Sequence, residues 1–185
     1  MNITLQPELF KTPQFQASFK EKLKSSRYYD YDGLVTLSKE ETKHYYYGRT
    51  VKGILAEMAV YGYLMSKKVS FLYNRKTDKR KYAPDIDFIL LPSKQRIDVK
   101  SGFSFWKKLA LVKQNIDYII VAQPLIEHKP EVYRRWNYTL VKSYRQLFKS
   151  PITVSISGYI KADEYIKNNS QQLIPLEVRL HDIYE

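Results

Sequence analysis

The sequence contains no cysteine. Structural disulfides, thiolate nucleophiles and cysteine-based zinc sites are therefore ruled out, and the composition suits a reducing compartment such as the cytoplasm. Histidine is nearly as scarce. His44, His128 and His181 are scattered, without an HExxH or any paired spacing, which argues against a histidine-held metal. Only six glycines occur, and none falls in a GxSxG or phosphate-loop pattern, so serine-hydrolase chemistry and ATP hydrolysis are disfavoured. Long apolar runs are missing as well. The longest candidate, GILAEMAVYGYLM (53–65), is too short to cross a bilayer and is interrupted by Glu57. The opening MNITLQPELFKTPQF has no apolar stretch of the signal-peptide kind. The expectation is a soluble, cytoplasmic protein with no membrane partner.

What is present is a chain of 185 residues with 44% apolar content, enough for one domain with a real core. It is strongly basic, with 31 Lys and Arg against 19 Asp and Glu, a net charge of +12. The excess is uneven: between Lys67 and Lys113 there are 13 basic residues and 4 acidic ones, a net +9. Arg75, Lys76, Lys79, Arg80, Lys81, Lys107 and Lys108 lie in this segment. Such a concentration reads as a footprint for a polyanion, nucleic acid first among them. The plain alternative is a basic face kept for solubility. An anionic membrane fits less well, because the basic residues flank strand-like segments and not an amphipathic helix.

Patterning along the chain predicts a mixed α/β (α+β) domain with a central sheet flanked by helices. Residues 1–36 read as irregular, with a short helix in QFQASFKEKLK, so that 1–45 would form a helical extension. Ser38 to Glu41 has the capping-box form, a hydroxyl with Glu three residues on, and opens a helix to about Lys67. Its apolar face is Ile54, Leu55, Met58, Tyr61 and either Leu64 or Met65. Strands follow at 67–74, 85–91 and 96–101 as a meander, then a crossover leads to strands at 117–123 and 152–160 and a short helix in ADEYIKNN. Asp117 reads as a strand-entry residue rather than a ligand.

The segment KYAPDIDFILLPSKQRIDVKSG (81–102) sets acids and a lysine inside apolar strands. Residues two apart in a strand share a face, about 6–7 Å apart. Asp98 and Lys100 therefore project together, while Ile86, Phe88, Ile97 and Val99 supply the core on the other face. A short hairpin brings Asp85, at the start of the preceding strand, beside Asp98 or Lys100. Asp87 shares its face with Asp85 and can replace it. Carboxylates held this close repel unless a cation lies between them. Oxygen donors with room for water suit Mg²⁺ or Mn²⁺, ions that act on phosphate substrates. An exposed Asp98–Lys100 ion pair without function is the bland reading of the same residues.

This arrangement resembles the PD-(D/E)XK nuclease superfamily, which includes restriction enzymes and archaeal Holliday-junction resolvases. Pro84-Asp85 matches its PD and Asp98-Val99-Lys100 its (D/E)XK. GRTVKGILAEMAVYGYLMSKK, upstream, looks like the helix that carries a glutamate toward the metal, with Glu57 in that place. The resemblance covers 48–122, leaving 125–185 as a C-terminal elaboration. It implies a restriction-endonuclease-like core and a Mg²⁺-dependent (or Mn²⁺-dependent) endonuclease acting on DNA. Glu57, Asp85 and Asp98 would be metal ligands with the Val99 carbonyl, and Lys100 would place the attacking water. Some relatives carry a glutamine on the following element, where Gln114 lies. Phe103, Phe105 and Trp106 would stack on bases or simply pack. A homodimer would let one site per chain cut two strands. Two other readings stand beside this one: a non-catalytic nucleic-acid-binding or assembly protein on the same fold, and an RNA-directed nuclease.

Overall fold

The structure is a computed structural model, and it describes residues 1–13, 15–17, 19, 39–73, 86–91, 93–101, 116–126 and 148–167. Its strands are β1 (Asn2–Leu5), β2 (Phe71–Tyr73), β3 (Phe88–Leu90), β4 (Arg96–Lys100), β5 (Tyr118–Leu125) and β6 (Ile152–Lys161). Its helices are α1 (Pro7–Lys11), α2 (Lys39–Ser66) and α3 (Ala162–Lys167). The strands form one six-stranded sheet in the order β1-β6-β5-β4-β3-β2. Only β4 and β5 run parallel; every other neighbouring pair is antiparallel. The expected meander, crossover and mixed α/β architecture are therefore present. Among the described residues no helix is long and apolar enough to cross a membrane.

Helix α2 covers one face of the sheet. Val51, Ile54, Leu55, Val60 and Leu64 are buried with Phe88, Leu90, Ile97, Val99, Ile120, Val154 and Tyr159 in one cluster. Leu64 is buried and Met65 is 55% exposed, so Leu64 is the one that continues the apolar face. All seven residues from Ile54 to Val60 are buried, so mid-helix is enclosed on every side and not along a single stripe. Each large apolar side chain there contributes about 1.5–3 kcal/mol, and this burial anchors the helix on the sheet.

Strand β5 alternates between two cores. Ile120 and Ala122 face α2, whereas Ile119 and Val121 face the far side with Ile116, Ile160 and Ala162. In β6 the alternation changes parity at a bulge: Val121 pairs with Gly158 and Ala122 with Ile156, so Ser157 has no opposite residue. Ile152, Val154 and Ile156 precede the bulge on the α2 side, and Tyr159 resumes that row after it. Gly158 has φ 147°, a backbone conformation open to glycine and strained for other residues.

Residues 2–5, expected to be irregular, form strand β1 on the outer edge of β6, from Asn2↔Ser155 to Leu5↔Ile152. Four residues of unremarkable alternation carry no pattern of their own; the long partner β6 supplies the template. Phe10, Phe15 and Phe19 all pack against Phe148, tying the N-terminal segment to the core.

Helix α2 ends in a Schellman turn. Val69 N–H donates to Leu64 C=O at 3.1 Å and Lys68 N–H to Met65 C=O at 3.0 Å, with Lys68 at φ 58°. A left-handed lysine costs about 1–2 kcal/mol, and glycine adds about 0.5–1 kcal/mol of unfolded-chain entropy. Lys68→Gly is thus expected to raise stability by roughly 0.5–1 kcal/mol, read as a higher urea midpoint with an unchanged slope; a lower midpoint would refute the strain.

Candidate active site

The β3–β4 hairpin is closed by Leu90 N–H to Gln95 C=O at 2.9 Å and Lys94 N–H to Leu90 C=O at 2.9 Å. Its pairing is Phe88↔Ile97 and Ile89↔Arg96, and among the described residues the ladder stops there. Beyond it, β4 continues against β5 alone, with Asp98↔Ile119, Val99↔Ile120 and Lys100↔Val121. The acids and the lysine sit at this point, where among the described residues the pairing of β4 with β3 ends.

Asp87 closes the gap. Its N–H donates to Ile97 C=O at 3.0 Å, and its carboxylate accepts the Val99 N–H at 2.7 Å, replacing a ladder carbonyl. The backbone leaves the strand path here, so Ile86 packs in the far-side cluster and not with Phe88, Ile97 and Val99 as strict alternation implies. Asp87 is 5% exposed.

Asp98 and Lys100 share the face opposite Ile97 and Val99, as the two-residue period requires. Asp98 is 2% exposed, and its Oδ2 contacts the Lys100 ammonium directly. The exposed ion-pair reading therefore fails: the Lys100 side chain is only 13% exposed. Burial, the largest influence, would push the Lys100 pKa down. The charges of Asp98, Asp87 and Glu57 and the hydrogen bond to Asp98 outweigh it, and the pKa stands above the ordinary lysine value.

Glu57 acts on Lys100 through its charge from α2, which covers the other face of the sheet. It is 5% exposed and accepts a hydrogen bond from the Tyr73 hydroxyl at 2.9 Å. Glu57, Asp87 and Asp98 are the buried charged residues among those described, and all three act on Lys100. Among the described residues no three Asp, Glu or His side chains stand at metal-coordinating spacing; the acids gather around the ammonium.

Asp85, Gln114, Arg75, Lys76, Lys79, Arg80, Lys81, Lys107 and Lys108 lie outside the described residues, as do Phe103, Phe105 and Trp106. Asp87, the alternative ligand, is inside the cluster. Asp117 is a strand-entry residue as expected: its carboxylate accepts Arg96 N–H at 2.7 Å, and its carbonyl accepts Ala162 N–H at 2.9 Å. Two residues carried no sequence signal. Tyr73 is one tyrosine among 17. Lys52, half-buried on α2, has its pKa lowered to about 8 by burial.

The two lysines respond oppositely to pH. Lys100 stabilises the fold below its unfolded pKa of about 10.4, and that contribution is lost as pH rises through its higher folded value. Lys100→Met leaves three buried acids without their counter-charge and is expected to cost about 3–5 kcal/mol at pH 7, a deficit that closes in strong alkali. Lys52 binds its proton less tightly folded than unfolded, so its contribution to stability rises from about pH 8 to about 10.4. Denaturant titrations of Lys52→Met should lack that rise, and a slope equal to wild type would reject it.

Compared with known protein families, curated proteins and solved structures, the chain matches none, so its chemistry is read from its own residues.

Proposed function

We propose that this protein is a metal-dependent nuclease hydrolysing phosphodiester bonds in DNA, built on a restriction-endonuclease-like core. The observation that carries this reading is the buried cluster of Glu57, Asp87 and Asp98 around Lys100, where the β3–β4 ladder ends, in a protein of net charge +12. A fold that needed only stability gains little from burying four ionisable groups, since desolvation offsets most of the attraction. A lysine of raised pKa held among buried carboxylates is the kind of group found at functional sites.

The donors are of the hard, oxygen kind that a divalent cation takes, although among the described residues they do not stand at metal-coordinating spacing. Three carboxylates against one ammonium leave a formal excess of two negative charges, all on oxygen. Glu57, Asp98 and Asp87 or Asp85 would hold Mg²⁺ or Mn²⁺. The Val99 carbonyl points to the same strand edge as its N–H, hence toward Asp87, and is a suitable further donor. The bound ion would supply a water of lowered pKa and neutralise charge on the scissile phosphate. Lys100, held protonated by its acids, would donate to a phosphoryl oxygen or orient the incoming water. Arg75, Lys76, Lys79, Arg80, Lys81, Lys107 and Lys108 would grip backbone phosphates and make binding steeply salt-dependent.

A second reading is a nucleic-acid-binding or assembly protein whose cluster is structural. The gathering of the acids around Lys100 and not around a common point favours it.

The experiment is incubation with supercoiled plasmid, linear duplex, single-stranded DNA, RNA and a four-way junction, in Mg²⁺, Mn²⁺ or EDTA. Cleavage is expected with metal and not with EDTA, reduced about 100-fold or more by Asp98→Asn. Comparing Asp85→Asn with Asp87→Asn assigns the remaining ligand. No cleavage of any substrate would sink the nuclease reading in favour of the binding protein, and RNA-only cleavage would move it to the other nucleic acid.

A further inference from the structure

At the end of the sheet opposite β2, the strands β1, β6 and β5 turn one face away from α2. On β6, Ile152, Val154 and Ile156 face α2, so Thr153, Ser155 and Ser157 face the other way. On β5, Ile120 and Ala122 face α2, and the alternation sends Gln123 and Leu125 to the opposite side. Ile3 and Leu5 of β1 pack with the core, which leaves Asn2 and Thr4 outward. The register aligns these residues in rows: Asn2, Ser155 and Gln123 in one, Thr4, Thr153 and Leu125 in the next. Asn2, Thr4, Gln123, Leu125 and Ser157 are exposed, and Thr153 and Ser155 are half-buried.

An antiparallel sheet ordinarily turns polar residues to water, and that alone accounts for the hydroxyls. It does not account for the missing charge. Charged residues make up 27% of the sequence and the net charge is +12, yet these two rows and Ser157 carry none. Ser, Thr, Asn and Gln each donate and accept hydrogen bonds, and nucleic-acid-binding proteins use them on phosphate oxygens and sugars. No carboxylate stands in the rows to repel a phosphate. The face is also continuous with the buried lysine. Asp98 and Lys100 project to this same side of the sheet, opposite Ile97 and Val99. Lys100 pairs with Val121 and Val121 with Gly158, and the bulge sets the exposed Ser157 beside that row. With strands about 4.7–4.9 Å apart, β6 lies roughly 10 Å from β4.

We propose that this uncharged, hydroxyl- and amide-lined face of β1, β6 and β5 is a docking surface for the sugar–phosphate backbone of a nucleic acid, leading across the sheet toward Lys100. The inference rests on the nucleic-acid part of the reading above and on no cation. Uncharged donors hold a backbone by hydrogen bonds and release no counterions, so they add affinity without adding salt dependence; lysines and arginines supply the salt-dependent share. Leu125, 51% exposed at the end of its row, offers an apolar contact to a base.

The test is fluorescence anisotropy of a labelled DNA single strand and a labelled duplex, with the full chain in EDTA over a series of KCl concentrations. Gln123→Glu is isosteric and puts a carboxylate on the face; Asn2→Asp does the same in the same row. Gly62→Glu makes an equal charge change on the exposed side of α2, where an added Cβ meets nothing within 4 Å. Thermal unfolding shows that each variant is folded. Gln123→Glu is expected to weaken binding about 10-fold or more, with Asn2→Asp acting in the same direction, against no more than about 2-fold for Gly62→Glu. Gln123→Ala should weaken it about 2–10-fold and leave the slope of log affinity against log salt at the wild-type value. Equal affinities in Gln123→Glu, Asn2→Asp and Gly62→Glu, with wild type binding the probes, would overturn this surface and leave the nuclease reading standing. A dimer in light scattering that Gln123→Glu breaks apart would give the face to a second copy of the chain and overturn the proposal. No binding of either probe by wild type would overturn it together with the DNA reading.

Discussion

The contact between the Lys100 ammonium and the Asp98 carboxylate is the constraint around which the rest of the site is organised. An ammonium cannot be buried at the end of a strand without compensation, because its unpaired desolvation costs on the order of several kcal/mol. One carboxylate is not the whole answer, since Asp87 and Glu57 also act on it. Each of these acids is in turn engaged elsewhere: Asp87 with the Val99 N–H, Glu57 with the Tyr73 hydroxyl. The four charges behave as a unit whose members come from α2, the approach to β3, and β4.

The hairpin shows how an irregularity makes room for chemistry. A regular ladder would bury the Val99 edge of β4 in backbone pairing. The Asp87 carboxylate instead takes the Val99 N–H, and the strand path breaks with it. On the far side of β5 the Ser157–Gly158 bulge of β6 lies opposite Val121, itself the partner of Lys100. Among the described residues, two interruptions of strand pairing thus fall in line with Lys100. Bulges recur beside active sites because they re-aim side chains that a regular sheet would hold in strict alternation. The charge pattern adds to this: a local excess of negative charge sits within a strongly basic chain. Under the proposed function the acids bind the cation and basic residues elsewhere in the sequence bind the phosphates.

Much of the arrangement was legible from residue spacing. Asp98 and Lys100 were legible because side-chain direction in a strand depends only on parity, and Ile97 and Val99 on the opposite face confirmed the orientation. The order of α2, the meander and β5 followed from apolar periodicity and turn residues. Ile86 was misplaced, since parity holds only while the backbone stays extended and paired. Strand β1 was missed because four residues pair only once β6 exists to receive them. The parity change at Ser157 was invisible for the same reason: a bulge is defined by the register of two strands.

Residue patterns alone were enough for the meander, the crossover to a further strand, the charge imbalance and the placing of Asp98 and Lys100 on one face. These depend on local periodicity and composition, which are properties of short segments. Tertiary structure alone decided that Asp87 joins the cluster through the Val99 amide, that Glu57 is enclosed by a helix buried on every side, and that Tyr73 reaches it. Burial and hydrogen-bond partners are set between segments distant in the chain: Tyr73 and Glu57 are 16 residues apart, and Asp87 and Val99 are 12. No local pattern encodes such a meeting, and it exists only when the helix is seated on the sheet.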